Sequence, residues 1–252
     1  MAAGTRRGLA GCCAALAALA ASAGAGGVPP ETGARLERAL EVLGTGFVGT
    51  YTFTLRAVVE KPGGKDRQES LRVVAVSRGA DGASESRIVK ALENGADVTE
   101  KERAKETRAT RTPTPRPEKN GGDRKSASAD LRLPTGDDAS RYRIGDPVEE
   151  GDLLVVAYEP LPEHRKDDGV AKGRLAWRGD TLDPAWLEAE LLVLPTGASR
   201  LVMRFEFARA GGVLYPRLTT TSGAGGILWI KRNFEARMEI SDLAPAPPAA
   251  GR

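Results

Sequence analysis

The sequence predicts a mainly β protein of α+β type, an open antiparallel curved sheet or half-barrel of about nine strands covered by one or two helices. Three observations carry this. In Leu201, Met203, Phe205 and Phe207 every second residue is apolar, while Arg200, Arg204 and Glu206 are charged. The same phase recurs in Leu228, Ile230, Phe234, Ala236, Met238 and Ile240, set against Lys231, Asn233, Glu235, Arg237 and Glu239. A period of two describes a sheet with one wet face and one apolar face. Convincing helical spacing is confined to a segment at the front of the chain, Glu31 to Leu43.

Residues 1–25 have the pattern of an export signal. Arg6 and Arg7 form a basic start, Leu9 to Ala21 an apolar stretch, and small residues allow cleavage after Ala23 or Ala25. The apolar stretch is too short to span a bilayer, so no transmembrane segment is expected in the mature chain. Leu9-Ala10-Gly11-Cys12 also reads as a lipidation signal on Cys12, but the apolar run continues well past that cysteine, which favours ordinary cleavage. The twin arginine of Thr5-Arg6-Arg7 is a weak hint of the Tat route. Both cysteines, Cys12 and Cys13, fall in this segment. The mature chain therefore has no disulfide framework, cysteine-ligated metal or cysteine nucleophile. Loss of Arg6 and Arg7 lowers the formal charge of +3 to +1, and bases alternate with acids along the rest, so no nucleic-acid partner is indicated. The expected destination is the periplasm.

A single domain is expected over residues 31–243. In Glu31 to Leu43, Leu36, Leu40 and Leu43 share one helical face with Ala39 beside them, and Gly44 and Gly46 end the helix. Phe47 to Val59 alternates as a long first strand, the turn Lys61 to Lys65 follows, and Leu71–Val76 and Arg87–Leu92 are the next two strands. Thr99-Glu100-Lys101-Glu102 reads as a capping box that starts a short helix. Residues 103–129 are charged, carry Pro113, Pro115 and Pro117, and hold no aliphatic or aromatic residue larger than Ala, so they are expected to form a flexible charged insertion. Leu153–Tyr158, Val170–Arg178, Trp186–Leu194, Leu201–Phe207, Val213–Thr221 and Ile227–Ile240 complete the strands, with Gly223 to Gly226 read as a hairpin turn. The Pro/Ala-rich tail 244–252 is expected to be disordered.

Chemistry is sparse. The only histidine, His164, sits in a loop rich in proline and charge, and no Gly-x-Ser-x-Gly elbow exists, so nucleophilic hydrolysis has no machinery. The acidic pairs Asp137-Asp138, Glu149-Glu150 and Asp167-Asp168 lie beside turns and lack the spacing of a calcium loop. Catalytic residues, a metal site and a cofactor are not expected. The aromatic and methionine positions, Trp177 and Trp186 included, read first as core. One helix about 20 Å long and 10 Å wide is nevertheless too small to cover a sheet some 40 Å wide. Such a sheet either closes on its own side chains or leaves an apolar hollow.

Gly173-Arg174-Leu175-Ala176-Trp177, Pro184, Leu187 to Glu190, Leu201 to Phe207, Tyr215-Pro216 and Gly225 to Phe234, ending at Ser241-Asp242, resemble the outer-membrane lipoprotein-sorting proteins of the Gram-negative envelope. These form a LolA/LolB-like superfamily that also includes the RseB-type sensors. The resemblance implies an open half-barrel lidded by helices, with an apolar cavity for lipid acyl chains or lipoproteins. On strand phase, Phe47, Tyr51, Phe53, Leu201, Met203 and Phe205 are expected to line that cavity. The alternative is a filled-core envelope sensor or assembly subunit that works through an envelope protein partner.

Overall fold

The computed structural model describes residues 29–45, 47–79, 83–111, 131–179, 181–194, 196–227 and 230–245. The signal segment 1–25, with Cys12, and most of the tail lie outside the described residues, as does the greater part of the charged insertion.

Helix α1 (Pro30–Thr45) opens the described chain. Proline at the first helical position has no N–H to lose there and its fixed φ suits a helix. Strands β1 (Gly49–Lys61), β2 (Lys65–Arg78), β3 (Ser84–Glu93) and β4 (Ala96–Asp97) precede helix α2 (Thr99–Arg111). After the insertion come β5 (Tyr142–Ile144), β6 (Val148–Glu150), β7 (Leu153–Pro160), β8 (Ala171–Arg178), β9 (Pro184–Leu191), β10 (Ala198–Ala210), β11 (Val213–Ile227) and β12 (Ile230–Pro245).

The strands form one 12-stranded sheet in the order β4-β3-β2-β1-β12-β11-β10-β9-β8-β7-β5, with β6 pairing to β7. Two antiparallel meanders, one N-terminal and one C-terminal, are joined where β1 pairs with β12, as in Phe53 opposite Ile240 and Val59 opposite Phe234. The sheet is open, ending at β4 on one side and β5 on the other. The expected fold class is the one observed, and all nine expected strands are present.

Several local expectations differ. The short strands β4, β5 and β6 carry no alternation long enough to read. Helix α2 runs to Arg111, so residues 103–111 of the expected flexible insertion are helical. Thr99 is not an N-cap: its hydroxyl accepts from the Ala91 N–H at 2.9 Å, and the Asp97 carboxylate accepts from the Thr99 N–H at 2.9 Å. Asp97 takes the place of the cap, and hydrogen bonding with Thr99, through its side chain first and its backbone N–H second, holds the Asp97 carboxyl below the usual range. Gly223 to Gly226 lie inside β11, paired to β12, so the expected hairpin turn is not at these residues. Gly223 is needed in the strand because a β-carbon there would overlap the Phe234 ring. Finally, β12 continues to Pro245, so the first two residues of the expected disordered tail are strand, with Ala244 opposite Thr50.

Candidate functional site

Residues directly opposite one another in an antiparallel pair share a face of the sheet. One row therefore crosses the sheet as Leu55, Met238, Thr219, Phe205, Leu187, Leu175 and Val156. The next row reads Ala57, Ala236, Thr221, Met203, Ala189, Gly173 and Tyr158. Val59, Phe234, Gly223 and Leu201 follow, and on the other side Phe53 stands between Val74 and Ile240. This face is largely apolar from β1 to β7; on β2 it carries Val76 and Val74 at one end, opposite Tyr51 and Phe53, and Arg72, Ser70 and Gln68 at the other, opposite Leu55, Ala57 and Val59.

The opposite face carries ion pairs. Arg204 meets Glu188 at 3.5 Å, Arg217 meets Glu206 at 3.0 Å and Glu239 at 3.8 Å, and Arg56 meets Glu69 at 3.4 Å. Trp186, read as core, lies on this charged face in a small core cluster of its own. It is buried against Val155 and Ala176, with the guanidinium groups of Arg204 and Arg174 4.4 Å and 5.3 Å from its ring. A depression of about 540 Å³ is also on this face, lined among others by Arg56, Glu60, Arg67 and Arg237, and another of about 750 Å³ lies between β3 and the start of α2.

The apolar face divides into three. Over β7, β8 and β9 it is filled: Leu36 and Ala39 of α1 are buried against Tyr142, Val156, Tyr158, Leu175, Trp177 and Leu187, with Phe205 and Phe207 packed alongside. Burial pushes the Tyr142 hydroxyl up to about 12 and the Tyr158 hydroxyl well above the usual tyrosine range. At the other flank Val98, just ahead of α2, packs with Tyr51 and Phe53 against Val74, Val76, Ile88 and Ala91. Glu102 of α2 is anchored there by Lys105 and by Arg72 at 2.7 Å. Between the flanks Leu55, Ala57, Met203, Thr221, Ala236 and Met238 are half-buried. The main contacts of β12 are with its neighbours β1 and β11.

The six residues expected to line the cavity distribute over these zones. Phe47 is buried at the entry to β1, edge-on to Tyr51 at 5.8 Å and to Tyr215 at 6.1 Å. Leu201 is buried opposite Gly223. Tyr51 and Phe53 belong to the cluster beside α2, Phe205 to the one beneath α1, and Met203 stands between. All of the strand-borne ones share the apolar face. Leu55, Ala57, Ala236 and Met238 belong with them, and the alternation of β1 and β12 carried the signal for these four.

Two polar groups beneath α1 are poorly satisfied. Arg35, 6 % exposed, donates from Nε to the Thr181 carbonyl at 3.1 Å and lies over the Trp177 ring at 4.5 Å. The Trp177 indole N–H is buried without a partner. His164 lies in a helical turn, 3.1 Å from an Asp167 oxygen that also faces Arg141 at 3.4 Å. Among the described residues no three His, Cys, Asp or Glu side chains converge as a metal group, and no helix is long and apolar enough to cross a membrane.

No family model matches the sequence, and no curated protein matches it. Solved structures are similar in fold. A LolA superfamily protein from Nitrosomonas europaea is 14 % identical, with 84 % of this chain and 93 % of that one covered and a TM-score of 0.36. A DUF1329 family protein from Desulfovibrio piger is 11 % identical, with 85 % and 92 % covered and a TM-score of 0.34. A domain named for outer-membrane lipoprotein sorting, from Vibrio parahaemolyticus, is 11 % identical, with 82 % and 90 % covered and a TM-score of 0.29. The likeness is one of fold and carries nothing about cargo.

Proposed function

We propose that this chain is an exported, non-enzymatic protein that binds lipid acyl chains or lipoproteins in the apolar hollow of its half-barrel and sorts them within the envelope. The observation that supports this most is that the middle of the apolar face is only half-buried by the described residues. Ala57, Ala236 and Thr221 form a low row between Leu55 and Met238 on one side and Val59 and Phe234 on the other. From β1 to β9 this row crosses four strand spacings, about 19 Å at 4.8 Å each, room for an extended alkyl chain laid across the strands. Each CH2 removed from water contributes about 0.8 kcal/mol, so even partial cover gives reversible binding. Tyr51, Phe53, Met203 and Phe205 would flank the bound chain, with Phe47 and Leu201 supporting it from below. The expected export signal would bring such a protein to where envelope lipids are found.

The competing reading is a sensor or assembly subunit whose apolar side is a core and whose surface meets an envelope protein. It is favoured by one observation, the shut packing of the β7–β9 zone beneath α1. Native mass spectrometry of the mature protein, beside displacement of a hydrophobic dye, separates the two. Co-purifying lipid and dye uptake, both lost in Met203→Asp with an unchanged circular-dichroism spectrum, are the expected results. A lipid-free protein that ignores the dye sinks the acyl-binding reading.

A further inference from the structure

We infer that Arg35 and Trp177 form a seat for a carboxylate, so that the cargo of the apolar face is a single-chain fatty acid; this rests on the acyl-binding reading above. Among the described residues Arg35 is a nearly buried cation without a buried counter-charge. Its carboxylate partner there, Glu31, is 3.4 Å away on a side chain that is 83 % exposed, a pair that water screens and weakens. The Trp177 ring under the guanidinium offsets part of the desolvation, and the Thr181 carbonyl satisfies Nε, but neither is an anion.

In the same ring, the indole N–H of Trp177 has no acceptor among the described residues although Trp177 is only 2 % exposed. Buried donors in native folds are nearly always paired, so one left open marks a place for an acceptor that none of the described residues supplies. One buried guanidinium and one open N–H in a single stack suit the two oxygens and single negative charge of a carboxylate. An alcohol or ester oxygen would serve the N–H and leave the cation uncompensated.

The seat adjoins the hollow. Trp177, Leu36 and Leu175 belong to the cluster against which Phe205 packs, and Phe205 sits one position along β10 from the row that holds Met203, Thr221 and Ala236. A head group held at Trp177 would send its tail past Phe205 and across the strands toward β1.

Titration of the mature wild-type protein with hexadecanoate and with hexadecanol, equal in chain length, reads the seat without any variant. Hexadecanoate is expected to bind about tenfold tighter, the scale of one charge-assisted hydrogen bond. In Arg35→Gln that ratio should fall to about one, and in Trp177→Phe, which keeps an aromatic face and removes the N–H, it should fall partway. Equal affinities for acid and alcohol in the wild type overturn the carboxylate seat while the acyl-binding reading stands. Uptake of neither overturns both.

Discussion

The hydroxyl of Tyr158 donates to the backbone carbonyl of Glu188 at 2.8 Å, across the bare backbone of Gly173 on the strand between them. Strands β7, β8 and β9 are thereby tied by a side chain as well as by their ladders. A β-carbon at position 173 would overlap both the Glu188 carbonyl oxygen and the Tyr158 ring. Gly173→Ala should therefore cost about 3 kcal/mol, the upper end for overpacking, because the nearest obstacle is backbone that cannot rotate away. Tyr158→Phe keeps the shape and removes one buried hydrogen bond to a strand carbonyl, for a loss of about 0.5–1.5 kcal/mol. Urea unfolding midpoints of the two variants test both values. A Gly173→Ala protein as stable as the parent would mean that this tie does not exist.

The same burial makes the fold sensitive to alkali. Tyr142 is pushed up to about 12 and Tyr158 well above 10, in both cases first by removal from water. In the unfolded chain both ionise near 10. Protons are then held more tightly by the native state, and the stability this gives is fully present below pH 10 and is lost as pH rises through the native values. Unfolding free energy should be level up to about pH 9 and fall steeply between about pH 10 and 12. Tyr142→Phe combined with Tyr158→Phe should flatten that fall, which pH-dependent unfolding followed by fluorescence would reveal.

On the acid side the relevant group is Glu102. A hydrogen bond from Lys105, reinforced by Arg72, holds its carboxyl below the usual glutamate value. A depressed native value gives stability that is present above the unfolded pKa, near 4.3, and disappears as pH falls through the native one. Glu102→Gln should weaken the attachment of α2 to the sheet at neutral pH and remove part of the loss of stability below about pH 4. Hydrogen exchange in α2, slow in the parent and faster in the variant, would register it. Equal exchange in the two proteins would place the anchor of α2 elsewhere, in the Val98 contact.

The faces of the long strands were legible because alternation is a direct record of which side is wet. Residues 201–207 and 234–240 announced the apolar side before any pairing was known. Pairing itself was not legible: that β1 meets β12, bringing Leu55 against Met238, is a contact between the ends of the chain, and local pattern holds no register for it. Trp186 was legible as core from its size and hydrophobicity, but only its place in the phase of β9, with Glu188 and Glu190, puts its core patch on the charged face. Gly223 misled because a glycine cluster usually marks a turn, yet here the missing side chain makes room for Phe234 inside a strand. The Thr99 motif located the start of α2 but not its cap, because the Thr99 hydroxyl is engaged with Ala91 and not with its own helix. The Arg35–Trp177 stack joins residues of α1 and β8 far apart in sequence, and no spacing could have paired them.

Trp186 supplies the control that the acyl-binding reading requires. Trp186→Ala removes a large buried side chain that fills the space between Arg174 and Arg204, and should cost about 3 kcal/mol by cavity formation. Because it stands on the charged face, the folded variant should still take up dye and lipid like the parent. Met238→Asp is the counterpart: half-buried beside Leu55 and Thr219, it should lose less stability than a fully buried site and lose uptake almost completely, since the carboxylate would stand among the CH2 groups of the bound chain. The two variants, measured together for melting temperature and dye affinity, separate stability from binding. If Trp186→Ala abolishes uptake while folded and Met238→Asp retains it, the ligand sits on the charged side of the sheet and the apolar face is only a core.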